Sequence, residues 1–282
     1  MVTTGFSANN SPMVSVLYKE TPVHYTDEGS GNTIVFLHGF LESSEIWKDF
    51  SASLSEKFRI ICIDLPGHGK SGLLPGKNYM ENAAGAVMEV LQHCDIKECV
   101  LAGHSMGGYV ALAFAENFPG MLRGLILFHS SALADSNEKK KDRDRAIEAV
   151  RRDHPGYVSS LIPKLFAPQN SESMKEEISV VKKLASGTKK QGILSAIEGM
   201  RDRKERTGVL RRTEAPVLFL QGRHDALIPV EKILPQAGLP ACALAIVLEH
   251  SGHMGFIEEK EESLFTVLKF TEFCFSPGKH VS

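Results

Sequence analysis

The sequence predicts an α/β fold in which a mostly parallel, eight-stranded sheet has helices on both faces and an inserted helical cap. Short apolar runs, typical of strands buried on both faces, alternate with longer segments whose apolar residues recur at helical spacing. Such alternation predicts parallel strands joined by helices. The stretch 131–214 contains helix-like segments without a strand, and two further strands follow it. We therefore expect a core of residues 1–130 and 215–282 and a cap of residues 131–214.

Each predicted element follows from one run of residues. The strands are 13–18, 22–28, 33–37, 59–64, 99–102, 124–129, 216–221 and 243–248. The first two are joined by three residues, which is typical of a hairpin. The core helices are about 45–56, reached through Leu41–Ser44, then 78–94, 109–118 and 258–275, and the cap helices are 136–152, 157–165, 171–185 and 189–202. Glycine and proline separate the cap helices, as expected of helix breaks.

Composition excludes several classes of protein. The chain has 282 residues, 43% of them hydrophobic, and a formal net charge of −2. No basic stretch is interleaved with aromatic residues, so we expect no nucleic-acid partner. Residues 1–12 lack the pattern of a signal peptide, and no run approaches the ~18 apolar residues of a membrane span, so we expect no membrane partner. The five cysteines are odd in number and show no metal-ligand spacing, which favours reduced thiols in a cytoplasmic protein. The sequence leaves the oligomeric state open between a monomer and a homodimer.

Charge differs between the two predicted parts. The cap contains 19 lysines and arginines against 13 acidic residues, and the rest of the chain contains 13 against 21. A basic cap would attract anionic substrates. We interpret the excess mainly as solvated helix faces, because lysine and arginine pairs such as Arg151-Arg152 and Lys182-Lys183 are interspersed with acidic residues.

A candidate nucleophile lies between the fifth strand and the helix after it, in Gly103-His104-Ser105-Met106-Gly107. Glycines two residues before and two after a serine suit a tight strand-to-helix turn, because a Cβ at either position would collide with neighbouring backbone. The turn places Ser105 at the amino end of a helix, where free N–H groups favour negative charge. This is the G-x-S-x-G nucleophile elbow in its expected setting.

A serine nucleophile needs a neutral imidazole to take its proton. His250 and His253 both follow the last strand. We favour His253, because Gly252 lets the loop carry that side chain over the edge of the sheet, whereas His250 directly follows the strand.

The imidazole in turn needs a carboxylate to fix its tautomer. Asp225 follows the seventh strand and lies in a turn that Ile228-Pro229 closes. This position places Asp225 at the same edge of the sheet as His253. Asp64 is the rival, but the Pro66-Gly67 that follows it suggests a role in a turn, and Asp135 and Glu249 are weaker candidates.

Two backbone N–H groups must face the developing oxyanion. Met106 follows the nucleophile, and Phe40 follows the third strand after His38-Gly39. These two residues are the oxyanion-hole candidates. The candidates for substrate contact are His38, Gly39, His104, Trp47, Phe128, His129 and Met254.

These segments together resemble the α/β-hydrolase superfamily, in its capped, serine esterase-like branch. The matching segments are His38-Gly39-Phe40, Asp64 to Ser71, Gly103 to Gly108, Gly222 to Asp225 and Gly252-His253. The resemblance implies a triad of Ser105, Asp225 and His253, an oxyanion hole of Phe40 and Met106, and a helical cap. Serine at position 105 argues against a haloalkane dehalogenase or an epoxide hydrolase, because those relatives carry aspartate there. The loop at 38–40 lacks the further glycines of HGGG lipases and of proline iminopeptidases, which argues against both of these classes.

We therefore expect a serine hydrolase of small or medium carboxylic esters, with thioesters and lactones as near neighbours, that uses no metal and no organic cofactor. A C–C bond hydrolase of the meta-cleavage type and a perhydrolase or cofactor-free haloperoxidase are alternatives within the superfamily. A ligand receptor with little turnover is the alternative from another class, because a fold does not fix a function.

Overall fold

The computed structural model describes residues 14–76 and 79–276. The N-terminal segment 1–12, the predicted strand start at Met13 and the predicted helix start at Asn78 lie outside the described residues. The strands are β1 (Val14–Tyr18), β2 (Thr21–Glu28), β3 (Thr33–Leu37), β4 (Arg59–Ile63), β5 (Cys99–His104), β6 (Leu122–Phe128), β7 (Val217–Gly222) and β8 (Ala243–Leu248). All eight predicted strands are confirmed, with ends that differ by at most about two residues.

One eight-stranded sheet contains them in the order β1-β2-β4-β3-β5-β6-β7-β8. Strand β2 runs antiparallel to β1 and β4, and every other neighbouring pair is parallel. All residues of β3, β5 and β7 are buried, which explains their unbroken apolar runs. The loops after β3, β5, β7 and β8 therefore leave the same edge of the sheet, where open α/β sheets bind ligands.

Helices cover the sheet between these strands. They are α1 (Lys48–Ala52), α2 (Tyr79–His93), α3 (Met106–Asn117), α4 (Asn137–Arg152), α5 (His154–Leu161), α6 (Lys175–Ser186), α7 (Lys190–Asp202), α8 (Thr207–Arg212), α9 (Val230–Ala237), α10 (Gly255–Glu258) and α11 (Lys260–Phe275). The single helix expected at about 45–56 is confirmed only in part: a 3₁₀ turn, Ser44–Trp47, leads into the short α1, which ends at Ala52. Leu41 has φ = +65°, which no helix accommodates, and Ser43 caps the turn by accepting from Glu45 N–H.

Five helices, α4 to α8, lie between β6 and β7, and we call this segment, 137–212, the inserted helices. Helix α4 packs on α7, and α7 packs on α2 of the sheet layer. A Cβ on Gly192 of α7 would lie 2.0 Å from the Gly67 carbonyl oxygen, so the inserted helices approach the core too closely there for any side chain.

An aromatic cluster lies beneath the sheet edge. Trp47 is fully buried, and its ring centroid lies 4.5 Å from that of Phe256, 4.9 Å from Phe36 and 5.7 Å from Phe128. Such contacts are worth about 0.5–1.5 kcal/mol per pair beyond the buried area. Phe256 lies three residues after His253, so the cluster anchors that loop to the core.

No helix within 14–76 and 79–276 is both long enough and apolar enough to cross a bilayer. All five cysteines lie within the described residues and carry free thiols.

Candidate active site

Ser105 lies on a strained turn between β5 and α3. Its backbone has φ = +48° and ψ = −111°, a conformation that a residue with a side chain rarely adopts. A Cβ on Gly103 would lie 2.4 Å from the Gly107 carbonyl oxygen, and a Cβ on Gly107 would lie 2.4 Å from that of Leu37. A residue with a side chain therefore fits at neither Gly103 nor Gly107. Ser105 N–H donates to the Phe128 carbonyl at 2.9 Å, which holds the turn against β6.

Asp225 and His253 meet at the ends of β7 and β8. The Nδ1–H of His253 donates to Asp225 Oδ2 at 2.7 Å, and Gln221 Nε2 donates to the same oxygen at 2.9 Å. Leu227 and Ile228 N–H groups each donate to Oδ1 at 2.9 Å. Burial alone would raise the pKa of Asp225, but electrostatic interaction and hydrogen bonding with the two imidazoles, His253 and His129, outweigh it and hold the pKa far below its usual range. The ionised carboxylate therefore fixes His253 with Nε2 as its acceptor nitrogen.

A second imidazole flanks the same carboxylate. His129 Nδ1 lies 3.4 Å from Asp225 Oδ2 and 3.2 Å from Gly222 N, and its Nε2 lies 3.1 Å from Gly255 N. Burial lowers the pKa of His129 to about 4, so the ring is neutral at neutral pH. It braces the loops that carry Asp225 and His253.

Histidine and aspartate can both bind metal ions, and the candidate ligand atoms of His129, Asp225 and His253 all lie within 4.8 Å of one another. Ligands around a tetrahedral zinc stand ~3.3 Å apart, given bonds of about 2.0–2.1 Å. The 2.7 Å between His253 and Asp225 is shorter and corresponds to a hydrogen bond.

Neither oxyanion candidate donates its backbone N–H to another described residue. Met106 is the first residue of α3, where a backbone N–H has no intrahelical acceptor. Among the described residues, no acceptor is found for Phe40 N–H either. The preceding Gly39 N–H is occupied, because it donates to Glu42 Oε2 at 2.6 Å.

Glu42 and His104 form a buried ion pair that we did not predict. The carboxylate oxygens lie 3.0 and 3.1 Å from His104 Nδ1, and His104 Nε2–H donates to the His253 carbonyl at 2.9 Å. Both ring nitrogens thus face acceptors, so the ring is an imidazolium. Burial opposes this charge, but the charge and hydrogen bond of Glu42 and the carbonyl of His253 raise the pKa of His104. Burial would likewise raise the pKa of Glu42, and His104 with Gly39 N–H lowers it.

This pair joins the loop of Phe40 to the loop of His253 behind the nucleophile. The sequence analysis left open whether His104 lines a pocket or fills space. The structure shows that His104 is charged and that it also lines the cavity described in the next paragraph. An acidic residue three positions after Gly39, together with a histidine in the elbow, is the only sequence signal that points to the pair.

A cavity of about 330 Å³ opens above the elbow. Phe40, His104, Ser105 and His253 line its core side, and the inserted helices and the segment leading into them line the other. Ser105 and His253 therefore reach one space, although no hydrogen bond joins the serine hydroxyl to the ring in this structure. Such contacts often tighten only when substrate binds.

Six of the seven predicted substrate contacts do not line this cavity. They are His38, Gly39, Trp47, Phe128, His129 and Met254. His38 is fully buried, donates from Nδ1 to the Gly39 carbonyl at 2.7 Å and accepts from Leu65 N–H at 2.9 Å, so it shapes the loop. Trp47 and Phe128 belong to the aromatic cluster, and His129 and Met254 are fully buried.

The rival acids and base have other partners. Asp64 is buried and accepts from Ser44 N–H at 2.7 Å and Lys70 N–H at 2.8 Å, which is the turn role expected for it. Glu249 pairs with Arg223 at the surface. His250 is exposed.

Glu258 links the His253 loop to the inserted helices. Its Oε1 accepts from Gly252 N–H at 2.8 Å and Met254 N–H at 3.2 Å, while its Oε2 accepts from Ala167 N–H at 2.7 Å and Asn170 Nδ2 at 2.8 Å. His253 N–H also donates to the Leu165 carbonyl at 2.6 Å. Nothing in the sequence separates Glu258 from the acidic residues around it, so this link was missed.

Comparison with known proteins places the chain. The profile of the alpha/beta hydrolase fold matches residues 32–260. A thermophilic esterase from Thermogutta terrifontis, solved with malate bound, has a TM-score of 0.89 and 30% identity over 94% of this chain and 100% of its own. The pimeloyl-[acyl-carrier protein] methyl ester esterase of Pseudoalteromonas atlantica is 28% identical over 86% of this chain and 95% of its own length. The dihydrolipoyllysine-residue acetyltransferase component of the acetoin cleaving system of Pseudomonas putida is 30% identical over 247 residues, and this chain spans 64% of its length. The sheet order, the elbow and the profile match together show that the chain belongs to the alpha/beta hydrolase fold family.

Proposed function

We propose that the protein is a serine hydrolase of small or medium carboxylic esters that works through an acyl-enzyme on Ser105. One observation carries the proposal: Ser105, on its strained turn, and His253, oriented by the ionised Asp225, line a single cavity. The likeness to two esterases supports an ester as the substrate.

In the first half-reaction, Ser105 Oγ attacks the ester carbonyl carbon while His253 Nε2 takes the hydroxyl proton. Asp225 stabilises the imidazolium that results. The tetrahedral intermediate collapses as the C–O bond to the alcohol breaks and Nε2–H protonates the departing oxygen. Ser105 is then acylated and His253 is neutral again.

In the second half-reaction, water attacks the acyl carbon while His253 takes a proton from it. The tetrahedral intermediate then collapses as the bond from the acyl carbon to Ser105 Oγ breaks, His253 returns the proton to Oγ, and the carboxylic acid leaves. The N–H groups of Phe40 and Met106 stabilise the oxyanion in both halves, an effect typically worth 10²–10³ in kcat per donor. Every step uses these groups and water.

We further propose that residues 131–214 act as a cap, whose inner face completes the cavity and limits access of water to the acyl-enzyme.

The proposal is tested with p-nitrophenyl acetate and butyrate. Ser105→Ala should lose roughly 10³-fold or more in kcat, because removing a triad member leaves only binding and the oxyanion hole. Ser159→Ala, at an exposed serine of α5, is the matched control and should leave kcat unchanged. A fluorophosphonate should label the wild type once, at Ser105, as mapped by peptide mass spectrometry.

Turnover that survives Ser105→Ala, or labelling elsewhere, refutes the assignment. Tight ligand binding with negligible wild-type turnover indicates a receptor instead. Hydrolysis of a dienol ketone faster than of any ester indicates C–C bond chemistry.

A further inference from the structure

The cavity that Ser105 lines carries an excess of positive charge. Its cations are Lys139, Arg143, Arg203 and Lys232. Two carboxylates line the same space, and Glu42 is committed to His104. Asp135 is therefore the one remaining acid that faces four cations.

Asp135 is buried between two guanidinium groups. Its Oδ1 lies 2.7 Å from Arg203 Nη1, and its Oδ2 lies 3.1 Å from Arg143 Nε. One negative charge thus offsets two positive ones, in a cluster whose Asp135 and Arg203 side chains are only 3% and 6% exposed. The Arg143 side chain is 21% exposed, so water screens its excess charge only in part, which favours a bound anion.

The two arginines differ in how many of their donors are used. Arg203 also donates to the Leu133 and Met200 carbonyls and stacks on the Tyr109 ring, with Cζ 4.1 Å from its centroid. Arg143 uses only Nε. Among the described residues, neither of its terminal nitrogens has a partner, so these N–H groups form a planar fork suited to a carboxylate.

Further donors surround this fork. Tyr157 lines the same cavity, and its hydroxyl has no partner among residues 14–76 and 79–276. Burial raises the pKa of Tyr157, with Arg143 opposing the shift, so the hydroxyl stays protonated and able to donate. Lys139 and Lys232 form no ion pair within the described part of the chain, and Lys139 lies in the first turn of α4, whose N-terminus adds partial positive charge.

We infer that the substrate is an ester with a carboxylate at the end remote from the scissile bond, held by Arg143 with Tyr157, Lys139 and Lys232 around it. The inference rests on the proposed ester hydrolysis and names its substrate class. The carboxylate belongs either to the acyl part, as in a half-ester of a dicarboxylic acid, or to the alcohol part, as in an acylated hydroxy acid.

The test compares each charged ester with its neutral isostere. Monomethyl adipate is paired with the amide that replaces its free carboxylate, and the acetate ester of 4-hydroxybutyrate with its amide. For one of the two pairs we expect kcat/KM to favour the anion by roughly 10-fold or more at low salt, as for a charge-assisted hydrogen bond. The preference should fall as salt is added.

Arg143→Gln should bring the anion-to-amide ratio towards one by lowering kcat/KM for the anion. Arg151→Gln is the matched control, because Arg151 lies on the same helix, is exposed and pairs with Glu148 outside the cavity. Since Arg143 also contacts buried Asp135, Lys139→Gln provides a second variant that breaks no ion pair and should also lower the ratio.

A wild-type ratio of one or less for both pairs overturns the inference, as does a ratio that Arg143→Gln leaves unchanged. If Ser105 is still needed to hydrolyse the ester bond of the neutral, amide-bearing isosteres, the proposed ester hydrolysis stands even though the anion subsite does not. If no ester is turned over, calorimetry on Ser105→Ala decides: adipate that binds roughly 10-fold tighter than its monoamide, in an Arg143-dependent way, supports the anion subsite while the hydrolase proposal fails. Equal binding refutes the subsite.

Discussion

Glu42→Gln removes the negative member of the ion pair that joins the Phe40 loop to the His253 loop. The side chains of His104 and Glu42 are 1% and 2% exposed, so the charge that remains cannot be hydrated. Breaking a buried pair by removing one partner costs about 3–5 kcal/mol. That amount is the upper limit of the expected fall in the free energy of unfolding at neutral pH, because His104 can lose its proton in the variant. A neutral ring can accept from the glutamine amide at Nδ1 and still donate to the His253 carbonyl.

The cost therefore depends on pH, with a definite sign. In the wild type the pKa of His104 is raised, so its contribution is complete below the unfolded pKa of about 6.5 and fades only as pH rises through the folded pKa. In Glu42→Gln, the carboxylate that raised the pKa of His104 is gone, and burial lowers that pKa. His104 is then neutral in the folded variant and takes up a proton when the variant unfolds in acid. Its deficit should grow below pH 6.5, approaching about 1.4 kcal/mol per pH unit, and should shrink towards pH 8.5.

The assay is denaturant unfolding at pH 5.5, 7.0 and 8.5, followed by fluorescence of the only tryptophan. Trp47 is buried, with its ring centroid 6.4 Å from that of His104, so it reports on this part of the core. Glu45→Gln, at an exposed glutamate nearby, is the control and should change stability by less than about 0.5 kcal/mol. A Glu42→Gln deficit below 1 kcal/mol, or one equal at pH 5.5 and 8.5, would refute the reasoning.

Three further predictions follow from the site. Asp225→Asn should lower kcat by about 10⁴-fold with little change in KM, because the amide no longer fixes the tautomer of His253; steady-state kinetics measures this, and a loss below tenfold contradicts the triad. Glu258→Gln should weaken the link between Ala167 and Gly252, raising hydrogen exchange in both segments and lowering kcat severalfold, whereas the exposed Glu262→Gln should do neither; unchanged exchange would argue against the link. Trp47→Phe should cost about 1–3 kcal/mol of stability through lost packing and leave the order of preference among acyl esters unchanged, and a shifted preference in the ester panel would return Trp47 to the pocket.

Much of the fold was predictable because its signals are local. Strands such as Thr33–Leu37 are continuous apolar runs with a clear boundary at each end. The family expected from the elbow and the loops is confirmed by the profile match. Helix α9 was missed because Pro235 lies inside it and interrupts the helical pattern. Helix α8 was missed because its six residues are too few to show periodicity.

The site was predictable only where side chains follow strands that share one edge. That rule brought Asp225 and His253 together, and the structure joins them by a hydrogen bond. It cannot reveal partners chosen by tertiary packing, such as Glu42 and His104, which are 62 positions apart. It also misplaced Trp47, because an apolar residue near a sheet edge looks the same in sequence whether it faces the core or a cavity.

The carboxylate of Glu258 has a mechanical consequence. Because Glu258 accepts hydrogen bonds from Ala167 and Asn170 as well as from Gly252 and Met254, we expect these two segments to move together. Inserting or deleting a residue at 166–170 would therefore shift the imidazole of His253, whereas the same change of length at 187–189 would leave it in place.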